Sequence, residues 1–100
     1  MNVIDISKVL SNETRMNILF WLKEPEKHFP PHQELKHFKD GVCVQYIGEK
    51  SGLSQSTISQ YLSMMQKAGL VILTRHGKWT YYKRDEKLIK QYIAHLRSHL

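Results

Sequence analysis

The chain has 100 residues, a formal net charge of +6 and a hydrophobic content of 41%. This length predicts one domain spanning residues 1–100, and the composition excludes a disordered chain. No segment approaches the ~18 consecutive apolar residues that a membrane-spanning helix needs. The single cysteine excludes an internal disulfide. We therefore expect a cytoplasmic protein without a membrane partner.

Acidic residues are missing from a third of the chain. From Ser51 to Arg84 the sequence contains no Asp or Glu. The same stretch contains five cations: Lys67, Arg75, Lys78, Lys83 and Arg84. Because carboxylates repel phosphates, this distribution predicts a surface that is compatible with DNA.

The first part of the chain is predicted to be helical. Apolar residues at helical spacing predict a helix over Val3–Leu10. Asn12 is a typical N-cap for a second helix, which should end near Lys23 because Glu24-Pro25 follows it. The segment Pro25–Gly41 holds three prolines and three histidines, and we expect an extended loop there.

Two further helices are predicted around a glycine-containing turn. Val42–Lys50 is predicted to form a short helix that ends at Ser51-Gly52. Ser54 caps the next helix, from Gln55 to Ala68. Its apolar residues follow the i, i+3, i+4, i+7 spacing of a buried helix face, at Ile58, Tyr61, Leu62 and Met65.

A hairpin and a last helix complete the order. The β-rich runs LVILTRH and WTYYKR flank Gly77-Lys78, a typical hairpin turn. Asp85 caps a final helix with apolar residues at Leu88, Ile89, Tyr92, Ile93, Leu96 and Leu100. The predicted fold class is mainly α with a small β-hairpin, in the order α-α-α-α-β-β-α.

This order is typical of a winged helix-turn-helix, with a recognition helix over about residues 54–68 and a wing over about residues 70–84. Such a helix carries its N-terminal residues to base edges in the major groove of double-stranded DNA. Gln and Ser side chains can bind bases or phosphates, and cations on a wing can reach the flanking backbone. The predicted DNA-binding residues are Ser54, Gln55, Ser56, Thr57, Ser59, Gln60, Ser63, Arg75, His76 and Lys78.

Three segments resemble the ArsR/SmtB family of bacterial repressors: SNETRMNILFWL, SQSTISQYL and KAGLVILTRHGKWTYYKRD. The resemblance covers nearly the whole chain and matches the order of elements. It implies a homodimer that pairs through the first and last helices and binds inverted repeats. It also implies that the base-reading positions are Gln55, Ser56, Ser59 and Gln60.

Dimerisation is also expected from the apolar stripes of the first and last helices, since so small a domain has little core left to cover them. The predicted interface residues are Ile6, Leu10, Leu88, Tyr92 and Leu96. A two-fold dimer would place two recognition helices one DNA turn apart, roughly 34 Å, on a pseudo-palindromic site.

Both metal sites familiar in the resembled family are incomplete. Gln45 stands where a Cys-x-Cys pair needs its second thiol, which leaves Cys43 as a buried apolar side chain or a reactive thiol. In the last helix, Asp85 is followed by Lys87 and Ser98 where histidines are expected. We therefore expect no cofactor.

Zinc remains an alternative at other histidines. His95 and His99 stand four residues apart on one helix, a spacing that can chelate a metal. The long loop offers His28, His32 and His37, with Cys43 beyond it. None of these spacings matches a zinc finger or ribbon.

No catalytic motif is found, and the acidic residues fall at caps and solvated positions, so we expect no enzyme. The sequence predicts a homodimeric, sequence-specific transcriptional regulator that acts as a repressor. Two alternatives stay open. One is a metal- or thiol-responsive derepressor that uses the region of His28, His32, His37 and Cys43. The other is a winged-helix module for protein contacts alone.

Overall fold

The computed structural model describes residues 1–32 and 35–100. Its helices are α1 (Val3–Leu10), α2 (Glu13–Lys23), α3 (Val44–Ser51), α4 (Gln55–Lys67) and α5 (Glu86–His99). Its strands are β1 (Val42–Cys43), β2 (Val71–His76) and β3 (Trp79–Arg84). The predicted fold class is confirmed, with one strand more than predicted.

Side-chain caps fix the starts of three helices where the sequence predicted them. Asn12 accepts a hydrogen bond from the backbone N–H of Arg15 at 3.0 Å, at the start of α2. Ser54 and Asp85 cap α4 and α5 in the same way. These contacts satisfy N–H groups that have no partner inside the helix.

The sheet is antiparallel, with strand order β1-β3-β2. The prediction that a helix begins at Val42 was wrong, because Val42 and Cys43 pair with Tyr82 and Tyr81 of β3 and are extended. Gly41 permits this approach, since it has a φ of +93° and a Cβ there would collide with the carbonyl of Tyr82. The helix begins only at Val44.

The segment Pro25–Gly41 is less extended than predicted at its start, where Pro25–Lys27 forms one turn of 3₁₀ helix. Phe29 and His32 are then buried, so the segment packs on the domain. The part of the predicted loop at positions 33 and 34 lies outside the described residues. The segment thus contributes to the core as well as connecting α2 to β1.

The core lies between α2, α3, α4 and the sheet. Its fully buried side chains include Ile18, Ile47, Ile58 and Leu62, and Ile6 of α1 joins them. Among residues 1–32 and 35–100, no helix is long and apolar enough to cross a membrane. The core therefore fixes α3 and α4 against the sheet that carries the wing.

Candidate nucleic-acid interface

The turn between α3 and α4 is held by local hydrogen bonds. Gly52 ends α3 in the left-handed region, with a φ of 73°. The Ser51 hydroxyl donates to the carbonyl of Gly48 at 2.8 Å and accepts from the N–H of Leu53 at 3.1 Å. This turn fixes the crossing of the two helices and therefore the direction of α4.

The two helices meet closely at Gly48, which is buried in α3. A Cβ at this position would lie 3.3 Å from Oε1 of Gln55 and 4.0 Å from Cγ1 of Ile58. The amide of Gln55 therefore lies against α3. The absence of a side chain at Gly48 leaves room for it.

The outward face of α4 is polar, as predicted. Gln55, Ser56, Ser59 and Gln60 are exposed, whereas Ser63 is half-buried. The opposite face is buried through Ile58, Leu62 and Met65. This arrangement exposes hydrogen-bonding side chains that can contact base edges, although the amide of Gln55 lies against α3.

Two of the predicted contact residues also stabilise the start of α4. The Ser54 hydroxyl accepts from the N–H of Thr57 at 3.2 Å and donates to the Thr57 hydroxyl at 2.9 Å. It also lies 3.3 Å from the hydroxyl of Ser56. The Thr57 hydroxyl is therefore engaged in the cap, and the residue is half-buried.

The set of DNA-binding residues predicted from the sequence omits one cation on α4. Lys67 lines a shallow depression of about 500 Å³ together with Ser59, Gln60, Ser63 and Met64. Lys67 follows Gln60 by seven residues, two helical turns along the same face. This seven-residue spacing is the sequence signal that could have placed Lys67 on the polar face of α4. The polar face thus ends on a positive charge.

The wing is formed by β2, β3 and the two-residue turn Gly77-Lys78. Gly77 has a φ of 58°, as the first position of a type II′ turn requires. Arg75, His76 and Lys78 are exposed at the tip. The Lys78 Nζ lies 5.3 Å from the centre of the Trp79 ring, within the range of a cation–π interaction.

The acid-free stretch of the sequence, residues 51–84, has acidic side chains from other parts of the chain beside it in the folded structure. Asp40, from outside that stretch, places Oδ2 2.7 Å from Nε2 of His76 on the wing. Arg84 is turned away from the tip, with two contacts to Glu86 and one to the carbonyl of Leu19. Arg84 is therefore engaged within the domain, although it is one of the five cations of the stretch that the sequence predicted to be compatible with DNA.

The end of the wing nearest its turn packs on the segment before β1. The His32 ring lies 4.6 Å from the ring of Trp79 and 5.6 Å from that of Tyr46, measured between centroids. Tyr81 is 1% exposed, so its side chain is part of the packing between the wing and this segment. Within residues 1–32 and 35–100, the buried Nε1 of Trp79 has no hydrogen-bond partner.

The histidines considered as metal ligands do not assemble. His28 is exposed, whereas His32 is buried. The rings of His95 and His99 stack at 4.1 Å, and Nδ1 of His99 lies 2.8 Å from the His95 carbonyl. In the part of the chain that the structure describes, no three His, Cys, Asp or Glu side chains form a group that could hold a metal ion.

Cys43 lies at the N-cap position of α3 and is 1% exposed. Burial raises the pKa of its thiol, and backbone hydrogen bonds from Tyr46 and Gln45 oppose that shift only in part. A thiol in this state is mainly protonated at neutral pH and is a poor nucleophile. The geometry therefore disfavours the reactive-thiol alternative.

The chain resembles known regulators over its whole length. Residues 42–72, which contain the helix-turn-helix, match the family model described as bacterial regulatory protein, arsR family. The chain is 47% identical to YbzH of Bacillus subtilis, an uncharacterized HTH-type transcriptional regulator, over 100% of both chains. It is 28% identical to the arsenical resistance operon repressor of Escherichia coli, over 80% of this chain and 56% of that protein.

A solved structure has the same fold. It is the homodimeric winged helix-turn-helix DNA-binding domain of Mb0332 from Mycobacterium bovis, with a TM-score of 0.68 and 23% identity. The match covers 97% of this chain and 77% of that one. Taken with the exposed polar face of α4 and the cationic wing, these likenesses identify a DNA-binding transcriptional regulator, not an enzyme. The chain belongs to the arsR family of bacterial regulatory proteins.

Proposed function

We propose that the protein is a cytoplasmic homodimeric repressor that binds an inverted repeat in double-stranded DNA. The observation that carries this proposal is the exposed row of Gln55, Ser56, Ser59 and Gln60 on a helix held by a tight turn. Gln can bind adenine through two hydrogen bonds, and Ser can bind bases or phosphates. These four side chains read the base sequence.

Positive charges beyond this row bind the DNA backbone. Lys67 is exposed at the end of α4, and Arg75 and Lys78 are exposed at the tip of the wing. Phosphate contacts of this kind position a protein on DNA and contribute affinity for all sequences. We assign His76 a weaker role, because its ring already contacts Asp40.

The second copy binds to the face formed by α1 and α5. These helices touch each other, since the hydroxyls of Ser7 and Tyr92 are 2.7 Å apart. Large apolar side chains remain exposed there and on the adjoining α2: Ile4 by 63%, Phe20 by 58% and Ile93 by 50%. Such exposure on a small domain is typical of a surface that is covered by another chain.

An apolar hollow continues this face. It has a volume of about 330 Å³ and is lined by residues of α1, α2 and α5, among them Leu10, Phe20, Tyr92 and Ile93. Leu96 is half-buried and adds to the same helix face. We propose that a side chain of the partner subunit fills this hollow.

Two residues of the predicted interface need revision. Ile6 has no accessible surface, so it belongs to the core of its own subunit and cannot touch a partner. Leu88 is half-buried and packs closely on Gly69, where a Cβ would lie 2.5 Å from its Cδ1. Phe20 and Ile93, with their large exposed surfaces, take their place as the main contacts.

Repression is proposed by analogy with the Escherichia coli relative, whose name is arsenical resistance operon repressor. The arsenical part of that name is not extended to this chain. Thiolates are the ligands that soft metals prefer, and Gln45 stands two residues after the single Cys43.

Selection from a pool of random duplexes by the full-length protein tests the proposal. The expected product is an inverted repeat with half-sites about one helical turn apart, bound by two protomers in native mass spectrometry. Affinity should fall steeply as salt rises from 50 to about 200 mM. A selected site without two-fold symmetry, or a complex with one protomer, would contradict the proposal.

A further inference from the structure

Arg15, in the first turn of α2, is a buried cation that DNA cannot reach. Its side chain is among the few buried charged groups, with 9% of the residue exposed. The ion pairs recorded within residues 1–32 and 35–100 join other residues, so no carboxylate there neutralises it. A buried charge is costly unless specific contacts compensate for it. Two contacts do so, each on a different helix.

The first contact is to the end of α1. The Nε–H of Arg15 donates to the carbonyl of Val9 at 2.5 Å. Val9 lies in the last turn of α1, where carbonyl groups lack an intrahelical partner. A cation at this end also interacts favourably with the helix dipole. Arg15 therefore holds α1 by its C-terminal end.

The second contact is to α4. The guanidinium carbon of Arg15 lies 4.8 Å from the centre of the Tyr61 ring, within the range of a cation–π interaction. Tyr61 is half-buried and directly follows Gln60. The planar guanidinium suits stacking of this kind, which an ammonium group could not reproduce.

Part of the boundary between α1 and α4 is open to solvent beside this bridge. A groove of about 330 Å³ lies between the two helices, lined by Val9, Met64 and Ala68 with the charged residues Asp5, Lys8 and Lys67. Because this groove is open to solvent, its lining residues add little packing between the two helices, and Ile6 is the residue of α1 that is fully buried in the core. The relative position of α1 and α4 therefore depends on the contacts of Arg15 together with the packing of Ile6.

We propose that Arg15 is a positioning residue that sets the angle between the dimer helix α1 and the reading helix α4, and thereby the half-site spacing that the dimer accepts. This inference rests on the proposed function, since it needs α1 in the interface and α4 on the DNA. A shift of α4 relative to α1 occurs in both subunits of the dimer. Both shifts contribute to the change in distance between the two reading helices.

The spacing preference of the dimer tests this role. The probes are duplexes that carry the site selected by the wild-type protein, with one or two base pairs inserted or removed at its centre. Wild-type protein should bind the duplex with the original spacing roughly tenfold or more tightly than the duplexes with altered spacing. Insertion or removal of base pairs moves one half-site away from its recognition helix. Arg15→Met should lower affinity for the original site roughly tenfold and reduce the ratio between spacings to about threefold or less.

Tyr61 provides a second route to the same test, at a position that is only half-buried. Tyr61→Leu removes the ring and should reduce the spacing ratio as Arg15→Met does, whereas Tyr61→Phe keeps the ring and should preserve the wild-type ratio. Lys87→Met, on the exposed first turn of α5, removes one positive charge and should also keep that ratio. The dimeric state of each variant is verified by sedimentation.

The proposal is overturned if folded, dimeric Arg15→Met or Tyr61→Leu keeps the wild-type spacing ratio, even with reduced affinity for every duplex. That result would make the bridge a stabilising contact without a role in geometry. A wild-type protein that shows no spacing preference would instead refute the proposed dimeric binding itself. The wild-type and variant measurements therefore distinguish the two failures.

Discussion

The hydroxyl of Tyr81 lies 3.0 Å from Nδ1 of His32, and this contact joins the wing to the segment between α2 and β1. Both residues are buried, with 1% and 4% of their surfaces exposed. The pairing of Val42 with Tyr82 adds a second attachment a few residues later. The long connection is therefore a support for the wing, which fixes where Arg75 and Lys78 stand.

Removing the hydroxyl of Tyr81 should destabilise the domain. Tyr81→Phe takes one hydrogen-bond partner from a buried histidine ring, and we expect the free energy of unfolding to fall by about 1–2 kcal/mol. Urea denaturation, monitored by circular dichroism, measures this free energy of unfolding. Tyr82→Phe is the control, since its hydroxyl has no recorded hydrogen bond within residues 1–32 and 35–100. Equal losses in the two variants would argue against the contact.

The cations of the wing should contribute affinity without selectivity. Arg75→Ala and Lys78→Ala should each weaken binding to specific and random duplexes by a similar factor, because phosphate contacts carry no sequence information. The slope of log Kd against log salt should fall by about 1 per residue. Lys87→Ala serves as the control for charge alone. A loss confined to the specific duplex would show that the wing reads bases.

The apolar face should control the oligomeric state. Ile93→Glu places a charge on a side chain that is 50% exposed in one subunit, so the fold should survive while association fails. Sedimentation equilibrium should report a monomer with native circular dichroism. Ile72→Glu, a comparably apolar site on β2 that is 39% exposed, should leave the dimer intact. A dimeric Ile93→Glu variant would place the interface elsewhere.

Burial of Cys43 should make stability depend on pH. Its pKa is raised in the folded state, so above the ordinary thiol value of about 8.5 the unfolded chain releases a proton that the folded chain keeps. The contribution of the Cys43 thiol to the free energy of unfolding is therefore fully present below that pH. It declines as the pH rises through that value toward the raised pKa of the folded state. The decline should be smaller in Cys43→Ala, measured by urea denaturation between about pH 8 and 9.5. Identical slopes in the two proteins would contradict this.

The sequence predicted most helix boundaries because the signals that set them are local. Asn12, Ser54 and Asp85 cap helices through their own side chains, and Gly52 ends α3 by its backbone conformation. The polar face of α4 was predictable for the same reason. Helical periodicity alone places Gln60 and Ile58 on opposite sides.

The errors concern contacts between distant parts of the chain. Val42 and Cys43 form too short a run to predict a strand, and they are extended because β3 pairs with them about forty residues later. The approach of Asp40 to His76 spans 36 positions and left no trace in the charge pattern. From the sequence, Ile6 was predicted to lie on a dimer face. Helical periodicity identifies the apolar side of a helix, but it does not show whether the same subunit or a partner subunit covers that side.

The central claim is that Gln55 and Ser59 read base edges from α4. A competition gel shift that compares the selected duplex with a scrambled duplex of the same length tests it most directly. The double variant Gln55→Ala and Ser59→Ala should lose roughly 10- to 100-fold in affinity for the selected duplex and little for the scrambled one. Gln66→Ala, exposed at the far end of the same helix, should behave as wild type. If the double variant keeps full discrimination between the two duplexes, α4 does not read the sequence through these residues.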